Sequence, residues 1–142
     1  MARYMLDTNI FAYLADEKDR LTRDVFAILD DVSNMLYMSS ESVKELVVAF
    51  KNKGLLAKRW KTVREMIDAI DEEYGITVLP VDVPIVKRMA ELESNTAESH
   101  NDPSDLIIIA HSMVMKMPLI SSDRKFPFYR NQGLDLITNF AE

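Results

Sequence analysis

The chain contains no cysteine and only three glycines among its 142 residues. Without cysteine it cannot form disulfides, use a thiol as a nucleophile or bind a metal through thiolates. The glycines stand at positions 54, 75 and 133, so none follows the first predicted strand, and a glycine-rich phosphate cradle is excluded. No apolar stretch reaches membrane-spanning length, and the N-terminus lacks a signal-peptide pattern. These absences lead us to expect a cytoplasmic protein that does not enter a membrane.

Positive charge is also scarce, with 17 basic against 23 acidic residues and a formal net charge of −6. Nucleic-acid-binding domains are usually basic, so this average weighs against such a partner. The charge is unevenly distributed, however, because six basic residues and no acidic residue lie between Lys51 and Arg64. The length suits one domain with its own core, and we treat residues 1–142 as a single domain.

Short apolar segments alternate with helical patterns along the chain. Five apolar segments predict strands, at residues 3–6, 35–38, 76–79, 118–120 and 134–137. One apolar stripe from Leu56 through Trp60 to Tyr74 predicts a single long helix with Trp60 in the core. The alternation is typical of a three-layer α/β fold, in which helices cover both faces of a mostly parallel central sheet.

Acidic residues follow two predicted strands and stand near the start of two predicted helices. Asp7 follows the first strand and Asp123 the fourth, so a parallel sheet brings both to its carboxyl edge. Glu45 and Asp105 lie on helices that begin at the same edge. Four neighbouring carboxylates repel one another unless a cation neutralises them, and oxygen ligands alone suit Mg²⁺ or Mn²⁺. The pattern therefore predicts a divalent-cation site.

Each of these acids also has an ordinary structural explanation. Asp7 suits a helix N-cap, and Asp123 suits a turn. Glu45 lies three residues after Ser42, as in a capping box, and Asp105 lies in a first helical turn, where the helix dipole favours an acid. Taken one at a time these explanations are adequate, and four of them together are less convincing.

Two more acids compete for a place in the site. Glu41, one turn before Glu45, is expected to be a solvated acid at the start of its helix. Asp102 precedes Pro103 and is expected to be the N-cap of the next helix. The sequence leaves open whether either joins the site.

Four motifs, in order, resemble the PIN domain, and most closely the VapC-type toxin ribonucleases of bacterial toxin–antitoxin pairs. They lie at residues 5–9 (MLDTN), 42–46 (SVKEL), 100–110 (HNDPSDLIIIA) and 118–126 (PLISSDRKF). The resemblance spans residues 3–126, and the chain has a family-like length. It departs from close relatives at Leu106, where arginine is common, and at Ser121, where threonine is commoner.

The resemblance implies the positions of the catalytic, metal-binding acids: Asp7, Glu45, Asp105 and Asp123. Asn9 and Ser121 correspond to polar residues that support them. The implied reaction is hydrolysis of an RNA phosphodiester with Mg²⁺ or Mn²⁺ as cofactor, which leaves 5′-phosphate and 3′-hydroxyl ends. A small antitoxin protein is the implied partner, and a homodimer is the usual oligomer.

The basic segment is the natural contact for an RNA backbone. Its candidate phosphate-binding residues are Lys51, Lys53, Lys58, Arg59, Lys61 and Arg64. A solvated helix surface explains the same run of charges equally well.

Two further hypotheses come from other classes of function. The chain could be an inactive scaffold of the same fold that binds RNA or a partner protein, although unneutralised cleft carboxylates would then cost stability for no purpose. It could also be a phosphatase with Asp7 as nucleophile. Haloacid-type phosphatases need a second aspartate two residues later, and Asn9 occupies that place.

Overall fold

The computed structural model describes residues 2–142, and a five-stranded sheet forms its centre. The strands are β1 (Arg3–Leu6), β2 (Met35–Ser39), β3 (Thr77–Leu79), β4 (Leu119–Ser121) and β5 (Leu136–Thr138). Their order across the sheet is β3-β2-β1-β4-β5, and every neighbouring pair runs parallel. The predicted three-layer α/β fold is confirmed, with a sheet that is wholly rather than mostly parallel.

Six α-helices connect the strands in the described part of the chain. They are α1 (Thr8–Asp16), α2 (Arg23–Asp30), α3 (Ser40–Lys53), α4 (Val63–Glu72), α5 (Val83–Glu91) and α6 (Pro103–Met115). Three short 3-10 helices lie in the connections, at Lys18–Arg20, Thr96–Glu98 and Phe126–Gln132. Between residues 2 and 142, no helix has the length and apolar character needed to cross a membrane.

Side chains that alternate along the strands pack into two cores, one on each face of the sheet. Leu6 and Ile120 belong to the core that α1 to α4 cover. Met5 and Leu119 point the other way, into the core that α6 covers. Because both faces are buried, the central strands are continuous apolar segments rather than alternating ones.

The predicted long helix is wrong in its first half. α3 ends where Gly54 adopts left-handed backbone with φ of 66°, and turns occupy most of residues 55–62. The hydroxyl of Thr62 then accepts a hydrogen bond from an amide in the first turn of α4, so a new helix begins there. Leu56 and Trp60 are buried within the turns, which reproduces a helix-like spacing without a helix. The predicted core position of Trp60 is confirmed.

Candidate active site

One cleft lies where the central strands end and where α1, α3 and α6 begin. Asp7 follows β1 directly, and Asp123 lies two residues after β4. Glu45 lies on the second turn of α3, and Asp105 lies in the first turn of α6. All four acids line this cleft, which has a volume of about 450 Å³. The topology therefore brings together the four acids that the sequence placed at strand ends and helix starts.

Asp105 is the acid that both groups of close polar atoms in the cleft share, and Asp7 belongs to neither group. Oxygens of Glu45, Asp102 and Asp105 lie within 4.8 Å of one another. A second group, formed by a ring nitrogen of His100 with oxygens of Asp105 and Asp123, is equally close. The charge of Asp7 also interacts with those of Asp105 and Glu45.

Hydroxyl and amide donors hold the carboxylates of Asp7 and Glu45. The Ser121 hydroxyl donates to Asp7 Oδ2 at 2.7 Å, and the Thr8 amide donates to Asp7 Oδ1 at 2.8 Å. The Thr8 hydroxyl donates to Glu45 Oε1 at 2.5 Å. Thr8 therefore links the two acids, through its backbone to one and through its side chain to the other.

The other two acids are held in the same way. Asp105 Oδ2 lies 2.9 Å from His100 Nε2, and Asp123 Oδ1 accepts a hydrogen bond of 2.8 Å from the Lys125 amide. Among residues 2–142, no lysine or arginine forms an ion pair with any of the four acids. The cleft is thus acidic and pre-organised, and in the described residues none of its four acids has a lysine or arginine within ion-pair distance.

Burial raises the pKa of Asp7 from 3.8 to about 7, even though the Ser121 and Thr8 hydrogen bonds favour the anion. Burial also raises the pKa values of Glu45 and Asp105, and repulsion from neighbouring acids adds to the shift in both. All three carboxylates are therefore costly as anions in the metal-free chain. A cation among them would remove that cost, and an all-oxygen donor set fits a hard divalent ion.

Glu41 and Asp102 have structural roles at the edge of the cleft. Glu41 forms an ion pair with Lys44 at 2.5 Å and accepts a hydrogen bond from the Ser104 hydroxyl at 2.6 Å. Its side chain is only 13% exposed, so the expectation of a solvated acid is wrong. Asp102 is confirmed as the N-cap of α6, because its side chain accepts hydrogen bonds from the amides of Ser104 and Asp105.

The capping-box explanation for Glu45 is wrong. Ser39, not Ser42, caps α3, and Ser42 is buried without a hydrogen-bond partner for its hydroxyl in the described structure. Glu45 therefore lies beyond the cap, one turn further along the helix, where it reaches Thr8.

The remaining predicted residues lie partly inside and partly outside the cleft. Asn9 and Lys53 line it. Four other basic residues are exposed and do not line it: Lys51, Lys58, Lys61 and Arg64. Arg59 forms an ion pair with Glu73 and donates to the Tyr74 hydroxyl, so its charge is already engaged.

Sequence reasoning missed several residues that the structure places at the site. Thr8 stands inside the first motif, but nothing in the sequence indicates that its hydroxyl reaches α3. Lys44 and Ser104 line the cleft and also contact each other at 3.3 Å. His100 is marked only by its place in a polar loop before α6. His100 lies only five residues before Asp105, which it contacts, and this short separation is the one feature of the sequence that could have pointed to it.

Comparison with known proteins identifies the family and the fold. The PIN domain model matches residues 4–132. VapBC2 from Rickettsia felis, solved bound to a promoter DNA fragment, is similar with TM-score 0.70 and 19% identity, covering 96% of this chain and 98% of that one. VapBC-1 from nontypeable Haemophilus influenzae gives TM-score 0.62, 26% identity and coverage of 96% and 97%. VapBC-5 from Mycobacterium tuberculosis gives a TM-score of 0.61 and 23% identity, covering 99% of this chain and 100% of that one.

None of the curated proteins matches the sequence significantly. The family model nevertheless spans most of the chain, from β1 to the last residue of the third 3-10 helix. Its extent includes all four cleft acids and the strands and helices that hold them. This chain belongs to the PIN domain family.

Proposed function

We propose that this chain is a metal-dependent endoribonuclease that hydrolyses RNA phosphodiester bonds and acts as the toxin of a toxin–antitoxin pair. One observation carries the proposal: four acids share a cleft, and within the described residues no lysine or arginine pairs with them. PIN domains are nucleases, which supports hydrolytic chemistry at this cleft.

The donor set suits Mg²⁺ or Mn²⁺, with Asp7 and Asp105 as the expected ligands and Asp123 or Glu45 completing the site. A divalent ion bound there supplies Lewis-acid chemistry, which activates water and offsets the negative charge of the phosphodiester. The softer thiolate ligands that suit zinc are absent from the sequence, because it has no cysteine.

The residues of the chain hold the carboxylate oxygens before any ligand arrives. Ser121 orients Asp7, and Thr8 orients Asp7 and Glu45 together. Glu45 Oε2 accepts no hydrogen bond from residues 2–142, so it is free to ligate the cation or to accept a proton from the attacking water. Such fixed first contacts reduce the reorganisation that the reaction requires.

Basic residues beside the cleft supply contacts for the RNA backbone. Lys53 lines the cleft wall, and Lys51 is exposed on the same helix. We include Lys58, Lys61 and Arg64 as outer contacts, because they are exposed and form no ion pair within the described chain. Replacing Lys53 with alanine should weaken RNA binding and lower the salt dependence by about one phosphate contact.

An antitoxin is the proposed protein partner, and a homodimer in the cytoplasm is the proposed state of the free toxin. VapBC-5, which shares this fold, is a member of the VapBC family of toxin–antitoxin systems. Beside its acids, the cleft has an apolar wall that includes Val48 and Leu55, both more than a third exposed. This combination suits an amphipathic segment whose arginine pairs with the carboxylates.

The deciding experiment incubates the purified chain with total RNA, with Mg²⁺ or with EDTA. We expect cleavage that needs the cation and is lost in Asp7→Asn, which removes the charge and keeps the shape. Asp68→Asn is the matched control, since Asp68 is an exposed acid on α4 outside the cleft. Cleavage that persists in Asp7→Asn would remove Asp7 from the mechanism.

Other outcomes identify the competing functions. A cation that raises the melting temperature without any RNA cleavage would favour an inactive scaffold. Hydrolysis of a phosphate monoester without RNA cleavage would favour the phosphatase, with Asp7 as nucleophile.

A further inference from the structure

His100 is a buried histidine that lies behind the acidic cleft and contacts one of its acids, Asp105. It is 4% exposed, and its ring packs between Phe126 and Tyr129, with ring centroids 5.6 and 5.5 Å away. Its Nε2 lies 2.9 Å from Asp105 Oδ2, and its Nδ1 lies 2.8 Å from the Tyr129 hydroxyl. Both ring nitrogens therefore have a polar partner, one in the cleft and one in the core.

The carboxylate of Asp105 suggests the direction of this hydrogen-bond chain, because an ionised carboxylate accepts hydrogen bonds and has none to donate. The Tyr129 hydroxyl accepts a hydrogen bond of 3.0 Å from the backbone amide of Asn95. Its own proton is then free to be donated to Nδ1 of His100. The arrangement we assign has Nδ1 as the acceptor from Tyr129 and Nε2–H as the donor to the carboxylate of Asp105. The chain of donors thus runs from Asn95 through Tyr129 and His100 to Asp105.

We propose that His100 is a positioning residue for Asp105: its Nε2–H fixes the carboxylate, and Tyr129 fixes the tautomer and orientation of the imidazole ring. The inference rests on the proposed function, because it assigns the fixed carboxylate to cation binding. Asp105 Oδ1 accepts no hydrogen bond from residues 2–142, so it is the oxygen left for the cation. His100 acts only through Asp105 and does not contact the substrate.

The hydrogen-bond chain behind Asp105 distinguishes this positioning role from simple packing, because it continues from the cleft into the core. Asp7 and Glu45 each accept one side-chain hydrogen bond, from the hydroxyls of Ser121 and Thr8 respectively. His100, in contrast, is held by Tyr129, which is fully buried in the core that α6 covers. The orientation of Asp105 is therefore fixed by the core itself, as outer hydrogen-bond partners fix the ligands of metal sites.

The same geometry makes His100 a poor metal ligand. His100, Asp105 and Asp123 are close enough together to hold an ion such as Zn²⁺ if Nε2 offered a lone pair. In the proposed tautomer Nε2 carries a proton toward Asp105, so the ion sees oxygen ligands only. The inference therefore also predicts that His100 does not determine the choice of metal.

Cation binding by the full chain, without RNA, provides the test. Mg²⁺ and Mn²⁺ are titrated by calorimetry into the wild type and into His100→Phe, which keeps an aromatic ring and loses the donor. We expect the affinity to fall about 10-fold or more in His100→Phe. His100→Gln offers an amide N–H in place of Nε2–H and should recover most of the affinity, and Tyr129→Phe should cause a smaller loss.

The matched control is the other buried histidine of the described chain. His111 lies on α6 with Nδ1 2.8 Å from the Ser39 hydroxyl, and it does not line the cleft. His111→Gln should leave cation affinity unchanged. Thermal unfolding without cation checks that each variant is folded, and nitrogen NMR of the wild-type His100 ring should show the Nε2–H tautomer. If His100→Phe does not fold, Tyr129→Phe and the NMR tautomer decide the question.

The contrary results separate two claims, the positioning role of His100 and the proposed function. Wild-type affinity in a folded His100→Phe, or an Nδ1–H tautomer, would overturn the positioning role. A His100→Gln variant as weak as His100→Phe would overturn it as well, because the ring nitrogen would then be the ligand. Failure of the wild type to bind any cation would instead overturn the proposed function, while the NMR tautomer would still test the hydrogen-bond chain.

Discussion

Glu41 and Glu45 lie one turn apart on α3, yet their surroundings differ in kind. Lys44 and Ser104 satisfy Glu41, and their hydrogen bonds outweigh burial and lower its pKa. Glu45 meets the Thr8 hydroxyl but also the acids of the cleft, and burial raises its pKa. The neighbours brought close by folding, not the residue type or the helix, therefore decide whether an acid is stabilised or destabilised as an anion.

The contrast extends to the rest of the molecule. Away from the cleft, Arg59 pairs with Glu73, and Arg130 pairs with Glu142. In the cleft, the acids have hydroxyl, amide and imidazole partners in place of lysine or arginine. These partners fix the direction of each carboxylate without neutralising it, so the cleft keeps an unfavourable charge that a divalent cation can remove.

The cleft acids and the ion-paired acids elsewhere should differ most in how they make stability depend on pH. The pKa of Asp7 is about 7 in the folded chain and 3.8 as an ordinary aspartate, so the folded state binds more protons between these values. The free energy of unfolding of the metal-free chain should therefore fall as pH rises from about 4 to about 7, by up to about 4 kcal/mol. Urea denaturation in EDTA measures it.

Asp7→Asn is the control for that pH dependence. It removes the titrating group, so its stability should vary less with pH and should exceed that of the wild type at pH 8. Glu45 and Asp105 shift in the same direction and leave a residual slope. A wild-type free energy of unfolding that rises across this pH range would contradict the unfavourable charge of the cleft.

The next largest effect is stabilisation of the folded chain by a divalent cation. At a Mg²⁺ concentration about 100 times its dissociation constant, the free energy of unfolding should rise by about 2.7 kcal/mol. At one fixed Mg²⁺ concentration, the rise should be larger at pH 8 than at pH 5.5, because protons compete with the cation for the same carboxylates. Thermal unfolding with Mg²⁺ and with EDTA measures it. An equal rise in wild type and Asp7→Asn would place the ion elsewhere.

A smaller effect is expected when the link between Asp7 and Glu45 is broken. Thr8→Val keeps the side-chain shape and the backbone hydrogen bond to Asp7, and it removes the hydroxyl that holds Glu45. We expect RNA cleavage to slow about 10-fold, as for outer partners of metal ligands, while the free energy of unfolding changes by about 1 kcal/mol. Thr77→Val, on an exposed strand position, is the matched control. Unchanged cleavage in Thr8→Val would show that Glu45 needs no fixed orientation.

The smallest effect tests the comparison most directly. Glu41→Gln breaks the ion pair with Lys44 and should lower the free energy of unfolding by less than about 1 kcal/mol, since Lys44 is largely exposed. RNA cleavage should persist. Glu45→Gln, on the next turn, should abolish cleavage. Loss of cleavage in Glu41→Gln with retention in Glu45→Gln would reverse the roles assigned to the two acids.

The parts of the site that strand ends determine could be predicted from the sequence. Asp7 and Asp123 each follow a buried strand, and parallel strands end at one edge, so their convergence follows from fold class alone. The apolar character of α6 likewise predicts a buried helix, and the residues in the middle of the helix, from Ile108 to Ser112, are buried. Features of this kind can be predicted because they depend on a short stretch of sequence and on the fold class only.

The hydrogen-bond partners of the acids could not be predicted in this way. Thr8 and Glu45 are 37 residues apart, and His100 and Tyr129 are 29 apart, so no spacing rule connects them. The turns at residues 55–62 were missed for a related reason. Leu56 and Trp60 are buried at helix-like spacing, but they lie in turns between the end of α3 at Gly54 and the start of α4 after its cap Thr62.

A single hydroxyl joins the two central strands at the cleft. The Ser121 side chain donates to Asp7 and accepts a hydrogen bond of 3.0 Å from the Asp123 amide, so the first and fourth strands meet there. During synthesis, a chain still attached to the ribosome holds Asp7 long before it holds Ser121. The acidic cleft is therefore completed only after Asp123 has also emerged, and shorter nascent chains cannot display it.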